Sequence, residues 1–570
     1  MSLRTLSFLL AFEATALGVF GCSDQPANSE TSSEGQGEAS TAAPAGGTGP
    51  AGSGSTNPTT TGAAGKSSAG AAGAKAPTGS GSAGTRAAGA GTSAAGAGGN
   101  SVAGTAAPAA GSGGTAGASG AAGADAAGAS AAGASAAGTG AAGSGAAGAA
   151  GDAAPATDAA CPVVVSDADC DKTQRPFVFV HGTYGSGDNL MHVAQLFGSN
   201  GYCQDRFVGV EYNSVVFLNN DTAPAIDAVV DDVRMRTGQD QVDIACHSQG
   251  TYQCTNYLQD AKRAAKVAHY INLSGGVTVP NNVETLSMSS QNDLGGRPAH
   301  ATNATNRVTF DDLDHMGVAA STEAFVEMWK YLHDGQEPKY KTIQCGDDPI
   351  TIESMVETFA DNKPVANAKI EAFEITETPR ERGMAVATQM SDAKGRVPAF
   401  TLKRNVQYEL QASDSTGKPI ARVYFTPFKR SNRLVRFLAP SGEAMVEASS
   451  SGMVATGPGF TGISARYVGG AFRHDLKEVL SVNGSDVLTD MTAGRTMVTV
   501  GLYLSDQNKN GKSEFGQSFS SNFLAGTDVF IDAQTPAFVD FKWTDSFGTE
   551  TSLKVPNWPS SEGLLFVLMP

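Results

Sequence analysis

The sequence predicts an α/β unit, a mostly parallel sheet with flanking helices, followed by two β-sandwich-like modules and preceded by a disordered Ala/Gly-rich tether. Three observations lead there. From Pro176 to His333, short apolar runs alternate with segments of helical period, the pattern of strands covered on both faces by helices. After Cys345 the period changes to two, broken by turn residues. Toward the N-terminus composition decides: of 69 glycines in 570 residues, 34 fall between Thr31 and Gly151, a stretch without Phe, Trp or Tyr. Such a chain buries too little apolar surface to offset its backbone entropy.

Residues 1–22 read as an export signal: Arg4 supplies the positive start, an apolar run follows from Leu6 to Phe20, and small Gly21 precedes Cys22. Val19-Phe20-Gly21-Cys22 resembles a lipobox, in which Cys22 is lipidated and becomes the mature N-terminus; an ordinary cleaved signal is the alternative. Residues 23–160, Ala/Gly/Ser-rich and loosely repeating, then form a low-complexity tether. About 130 flexible residues have a root-mean-square span of roughly 60 Å. The expected location is a lipid anchor on a bacterial cell envelope, otherwise secretion. No run of about 20 apolar residues predicts a transmembrane helix. The net charge of -17 argues against a nucleic-acid or anionic-membrane binder. Cys161, Cys170, Cys203, Cys246, Cys254 and Cys345 remain. An even number in an oxidising compartment predicts disulfides, among 15 possible connectivities.

The catalytic domain is expected over residues 161–345. Strands are expected at Pro176–Val180, Phe207–Glu211, Val242–Cys246, His269–Leu273, Glu284–Met288 and Arg307–Phe310. Helices are expected at Asn189–Phe197, with Leu190, Val193 and Phe197 on one face; at Pro224–Arg236, which starts with Pro and stops before Gly238; and at Thr322–His333, with Phe325, Met328, Trp329 and Leu332 at helical spacing. A β-sandwich module is expected over 346–440, with turns at Asp361-Asn362-Lys363-Pro364 and Asp392-Ala393-Lys394-Gly395. A second β module is expected over 441–570. In the latter, Asp506, Asn508 and Asn510 place oxygens at alternate positions before Gly511, as at the start of a calcium loop. Gln517 stands at the twelfth position in place of glutamate, so a polar hairpin turn is the alternative. No other cofactor or metal is expected. Phe541, Trp543 and Trp558 could touch lipid or polymer, but aromatics on alternating strands pack in the core by default.

Three local signals carry chemistry. Phe177-Val178-Phe179-Val180-His181-Gly182-Thr183 is a buried strand running into a glycine turn, where a backbone N–H can face a bound carbonyl oxygen. Val242-Asp243-Ile244-Ala245-Cys246-His247-Ser248-Gln249-Gly250 reads as strand, tight turn and helix; small residues two before and two after Ser248 permit the strained turn that lifts a nucleophilic hydroxyl above a sheet. Asp312-Leu313-Asp314-His315-Met316-Gly317 follows the last strand, so His315 can return to Ser248 as general base, which a serine hydroxyl needs near neutral pH. Of the eight histidines, His315 has the right place and order. The acid that holds its tautomer is expected at Asp293, on the loop after the penultimate strand. After the strand before it the chain has Ser274-Gly275-Gly276, and Asp311, Asp312 and Asp314 are too near His315 in sequence. The order Gly-turn, Ser, Asp, His is that of an α/β hydrolase.

Pro176–Tyr184, Cys246–Gly250, Lys266–His269, Asn303–Asn306 and Asp314–Val326 resemble secreted lipases of the α/β-hydrolase superfamily, nearest to the archaeal lipase with a C-terminal lipid-binding β domain. Leu502–Gly516 and Val555–Ser560 resemble segments of that domain. The resemblance implies nucleophile Ser248, base His315 and oxyanion N–H donors from Thr183 and Gln249. Two departures matter. That family's acid follows the strand matching His269–Leu273, where this chain has Ser274, so the acid moves to Asp293. Between Tyr212 and Pro224 the chain is short where such a lipase inserts a helical lid. The expected function is therefore an exported, triacylglycerol lipase-like carboxylic ester hydrolase with a Ser-His-Asp triad and an acyl-enzyme intermediate. It would act on lipid or another ester, with its β modules meeting a lipid or polymer surface. The alternatives are a short-chain esterase or polyesterase with an open site, and a non-catalytic surface adhesin.

Overall fold

A computed structural model describes residues 161–216, 222–378, 380–440, 454–495, 498–521 and 523–570; the expected signal, Cys22 and the tether lie outside them. Among the described residues the first sheet has six strands: β1 (Phe177–Val180), β2 (Phe207–Val210), β3 (Val242–His247), β4 (Val267–Leu273), β5 (Glu284–Ser290) and β6 (Asn306–Phe310). Their order is β2-β1-β3-β4-β5-β6, and every pairing is parallel. Each expected strand is present, displaced at its ends by a few residues at most.

The apolar run of β1 is buried because both faces of the sheet are covered. Phe177 and Phe179 point into one core, with Val193, Leu196 and Phe197 of helix α1 (Met191–Ser199). Val178 and Val180 point into the other. That second core holds Ile226, Val230 and Val233 of α2 (Thr222–Thr237), and Cys254, Tyr257 and Leu258 of α3 (Gln249–Leu258). Helix α4 (Thr322–Leu332) begins at Ser321, whose hydroxyl accepts the Ala324 N–H, and carries Lys330 in its last turn, the polarity that helix ends favour. Its Phe325 and Met328 close the first core.

The disulfides are Cys161–Cys345, Cys170–Cys203 and Cys246–Cys254. The first ties together the two ends of the α/β unit. The third closes a short loop across the turn after β3.

The remaining strands are β7 (Ile350–Thr358), β8 (Lys369–Glu374), β9 (Ala387–Met390), β10 (Arg396–Leu402), β11 (Tyr408–Ser413), β12 (Pro419–Phe425), β13 (Asn432–Ala439), β14 (Ile463–Tyr467), β15 (Val479–Val482), β16 (Ser485–Asp486), β17 (Gly501–Ser505), β18 (Glu514–Ser521), β19 (Leu524–Asp528), β20 (Phe538–Thr544), β21 (Glu550–Pro556) and β22 (Leu565–Met569). Among the described residues they form three sheets, β10-β7-β13, β16-β15-β20-β21 and a nine-stranded sheet, β18-β19-β17-β14-β22-β12-β11-β8-β9. The nine-stranded sheet joins the two strand-rich stretches, because β22 pairs in parallel with β12 on one side and β14 on the other. The first core also continues without a break from Phe177 and Phe197 into Ile352, Leu410, Val423 and Phe437. The α/β unit and the first β module therefore share one hydrophobic interior. Phe541 and Trp543 are buried in the second module's core. Trp558 is half-buried, and its indole N–H donates to Glu409.

Candidate active site

In an open parallel sheet, ligands bind beyond the C-terminal strand ends where the strand order reverses. Here the reversal lies between β1 and β3, whose ends carry the His181-Gly182-Thr183 turn and Ser248. Ser248 has φ 53° and ψ -120°, a conformation costly for a residue with a side chain and maintained only where the surroundings impose it. Three contacts impose it. The Ser248 N–H donates to Leu273 O at 2.9 Å. Gly250 lies so close to β1 that a Cβ there would meet Val180 O at 2.4 Å, and a Cβ on Gly182 would stand 2.9 Å from that of Ser248. The Cys246–Cys254 disulfide spans the same turn, so Cys246, the departure from glycine in the motif, is one half of a clasp.

Thr183 and Gln249, the expected oxyanion residues, are tied together: the Thr183 hydroxyl donates to Gln249 Oε1 at 2.7 Å, and Gln249 Nε2 donates to Val216 O at 2.9 Å. Ser214 donates its hydroxyl to Ala360 O in the first β module. In the connection expected to be short, residues 217–221 lie outside the described residues.

Asp293 and His315 meet as the sequence predicts. Asp293 Oδ1 lies 2.5 Å from His315 Nδ1, and both residues are buried. The carboxylate also accepts the Ser289 hydroxyl at 2.7 Å and the Leu294 N–H at 2.7 Å. Burial pushes the Asp293 pKa up, but the His315 charge and the hydrogen bonds outweigh it and hold the carboxyl well below its usual range. Ser274, where the resemblance would have put the acid, is buried beside this carboxylate. His315 Nε2 is buried and meets no hydrogen-bond partner among the described residues. His247, the chain neighbour of Ser248, donates Nε2–H to His315 O at 2.9 Å. Burial, reinforced by the His315 charge, pushes the His247 pKa down to about 3, so that ring is a neutral donor. The competing acids are otherwise placed. Asp314 accepts the N–H groups of Met316, Gly317 and Ala471, and Asp311 and Asp312 are exposed.

A cavity of about 90 Å³ is lined by Thr183 and by Phe523, the ring that faces His315; Ser248, Asp293 and His315 are not in its lining. The α/β unit contributes Thr183 and Met316, the first module Phe359 and Leu438, and the second Tyr503 and Phe523. The Phe523 ring lies 6.2 Å from that of His315, within 19° of parallel. The lining is mainly apolar. Phe523 and Phe359 were not legible as site residues, since nothing local marks a strand-end aromatic as facing a cavity built by three distant segments.

The expected calcium residues form a turn closed on itself. The Asp506 carboxylate accepts the Asn510 and Gly511 N–H groups, and the Asn508 and Asn510 amides donate to Glu514. Among the described residues no group of three His, Cys, Asp or Glu side chains is placed to hold a metal ion.

The strand order and the strained serine turn give the N-terminal unit the architecture of an α/β-hydrolase fold. Residues 348–441 match the family model of the lipase C-terminal domain, and residues 471–569 match a second C-terminal domain model. Similar solved structures include lipase B of Aspergillus fumigatus, 11% identical over 30% of this chain and 56% of that one, with a TM-score of 0.24. This chain thus spans little more than half the length of that enzyme. A Bacillus licheniformis lipase in propeptide form is 10% identical over 68% of this chain and 94% of that one, with a TM-score of 0.23. A Xanthomonas campestris α/β serine hydrolase without a lid is 16% identical over 29% and 87%, with a TM-score of 0.20. The chain thus joins a parallel α/β unit to β-rich segments, the first of which matches the lipase C-terminal domain model.

Proposed function

We infer that the chain is an exported carboxylic ester hydrolase of lipase type. Two observations carry this reading: the buried Asp293–His315 pair with its Nε2 unengaged among the described residues, and a serine on a strained strand-to-helix turn. In the mechanism these residues support, His315 Nε2 takes the Ser248 proton as Oγ attacks the ester carbonyl. The developing oxyanion is met by the Thr183 and Gln249 N–H groups. The protonated imidazole, stabilised by Asp293, then returns the proton to the leaving alcohol. Water, deprotonated by the same nitrogen, attacks the acyl-serine and releases the acid.

The cavity argues for the acyl chain. One water needs at least about 10–15 Å³ of such space, so the cavity has room for several waters or for part of an acyl chain. Its apolar walls favour an aliphatic chain over a charged one. A series of p-nitrophenyl esters from C2 to C16, with Ser248→Ala as control, tests this. The expected result is activity on C8 and longer esters that vanishes in the variant. Activity confined to C2–C4 would move the reading to a short-chain esterase or polyesterase, and no serine-dependent activity at any length would revive the adhesin. On its sequence motif we place the enzyme at a bacterial cell envelope, anchored through Cys22. An unmodified mature N-terminus beyond Cys22, read by mass spectrometry, would contradict that placement.

A further inference from the structure

The hydrogen bonds that hold the turn after β1 lead out of the α/β unit and into the first β module. Asn362, in the turn after β7, is buried with φ 48°, a conformation that asparagine tolerates better than most residues. Its Nδ2 lies 2.9 Å from Gly185 O, 3.0 Å from Tyr212 O and 3.1 Å from His181 Nε2. Two of those neighbours are carbonyl oxygens, which accept only, so the amide nitrogen and not its oxygen must face this site. The amide has two N–H groups for these three neighbours, so one is shared with His181 Nε2, which can accept it because the ring carries its proton on Nδ1. That nitrogen lies 2.9 Å from Gly182 O, to which it donates. The tautomer is consistent with burial, which pushes the His181 pKa down. Tyr212 completes the setting: its hydroxyl donates to His181 O at 2.7 Å, and its ring stacks on the imidazole at 4.4 Å.

Gly182 C=O and Thr183 N–H belong to one planar peptide and point in opposite directions. Whatever fixes the carbonyl therefore aims the N–H. We propose that Asn362 is a positioning residue for ester hydrolysis: through His181 it fixes the Gly182–Thr183 peptide whose N–H meets the oxyanion. The first β module thus supplies part of the catalytic geometry. This rests on the ester-hydrolase reading.

The test uses the full chain and two variants. Asn362→Gly keeps the positive-φ turn and removes the amide. Asn362→Asp keeps the shape and turns the donor into an acceptor facing two carbonyls. Active sites are counted by titration with a fluorophosphonate, and ester hydrolysis is measured per titrated site alongside inhibition by an alkylboronic acid, which mimics the tetrahedral intermediate. Loss of a whole oxyanion donor costs about 10²–10³ in rate, so a misaimed one is expected to lower kcat per site about 10–10²-fold. KM should stay within about twofold, with boronic-acid affinity falling in step with kcat. If both variants keep wild-type kcat per site and boronic-acid affinity, whatever happens to Tm, Asn362 is merely structural and the proposal is overturned. A wild-type chain without Ser248-dependent hydrolysis would overturn the hydrolase reading and this proposal with it.

Discussion

Asp293 holds His315 Nδ1, while Asp314, one residue before that histidine, accepts the N–H groups of Met316, Gly317 and Ala471. Asp293→Asn should therefore remove the carboxylate that fixes the imidazole's tautomer and stabilises its protonated form, and lower kcat by about 10³–10⁴-fold, whereas Asp314→Asn should lower Tm and change kcat per folded molecule far less. Equal losses in the two variants would contradict the assignment. Asp293 was legible because the acid positions of such a sheet are few, and Ser274 and the sequence neighbours of His315 eliminate the others. Asn362 was legible only as a turn former. Its second role depends on contacts about 150 and 180 residues away in sequence, which no local pattern records. Glu478 was missed for the same reason. It is buried near Asp314 and Asp545, accepts the Arg473 N–H, and burial raises its pKa from 4.5 to about 8. Between those values the folded state holds a proton that the unfolded chain has lost, so this group makes stability fall as pH rises from about 4.5 to about 8. Glu478→Gln should flatten that decline, with a Tm gain over wild type at pH 8 that is absent at pH 4.5; a gain equal at both pH values would argue against it.

The strands and helices of the α/β unit follow from period and length. The sequence could not reveal which strands of the β region pair. Strand β22 has the alternation of any strand, yet it sits inside the nine-stranded sheet between β12 and β14, with Leu565, Val567 and Met569 fully buried. Each such side chain contributes about 1.5–3 kcal/mol, so the three together approach the stability of a whole domain. Deleting residues 564–570 should thus leave a chain that fails to fold, seen as loss of near-ultraviolet circular dichroism and rapid proteolysis of the β modules; a folded truncated chain would contradict the pairing. The Cys246–Cys254 link was likewise one choice among fifteen. In the chain-entropy model a loop this short is worth about 2–3 kcal/mol. Replacing both cysteines by alanine should lower Tm by several degrees, and reductant should lower the melting point of the wild type more than that of the variant.

At the scale of the molecule, the α/β unit and the first β module are separate texts in sequence but share one interior. Phe177, Phe197 and Phe325 belong to the same cluster as Ile352, Val435 and Phe437. Phe359 and Phe523 close the cavity from two further segments. Expressed alone, residues 161–345 would expose that shared face, so they are expected to aggregate and to lack esterase activity even with all six cysteines and the candidate catalytic residues present. The composition shift at Cys345 was a true signal of a change in architecture and a poor guide to independence, because alternation reveals that a face is buried and not what it is buried against. All of this turns on Ser248 being the residue that carries the acyl group. The most direct measurement is intact and peptide mass spectrometry of the full chain after reaction with a fluorophosphonate. A single adduct on the peptide bearing Ser248, absent in Ser248→Ala and formed far more slowly in His315→Ala, is the expected result. No adduct, or one on another residue, would contradict it.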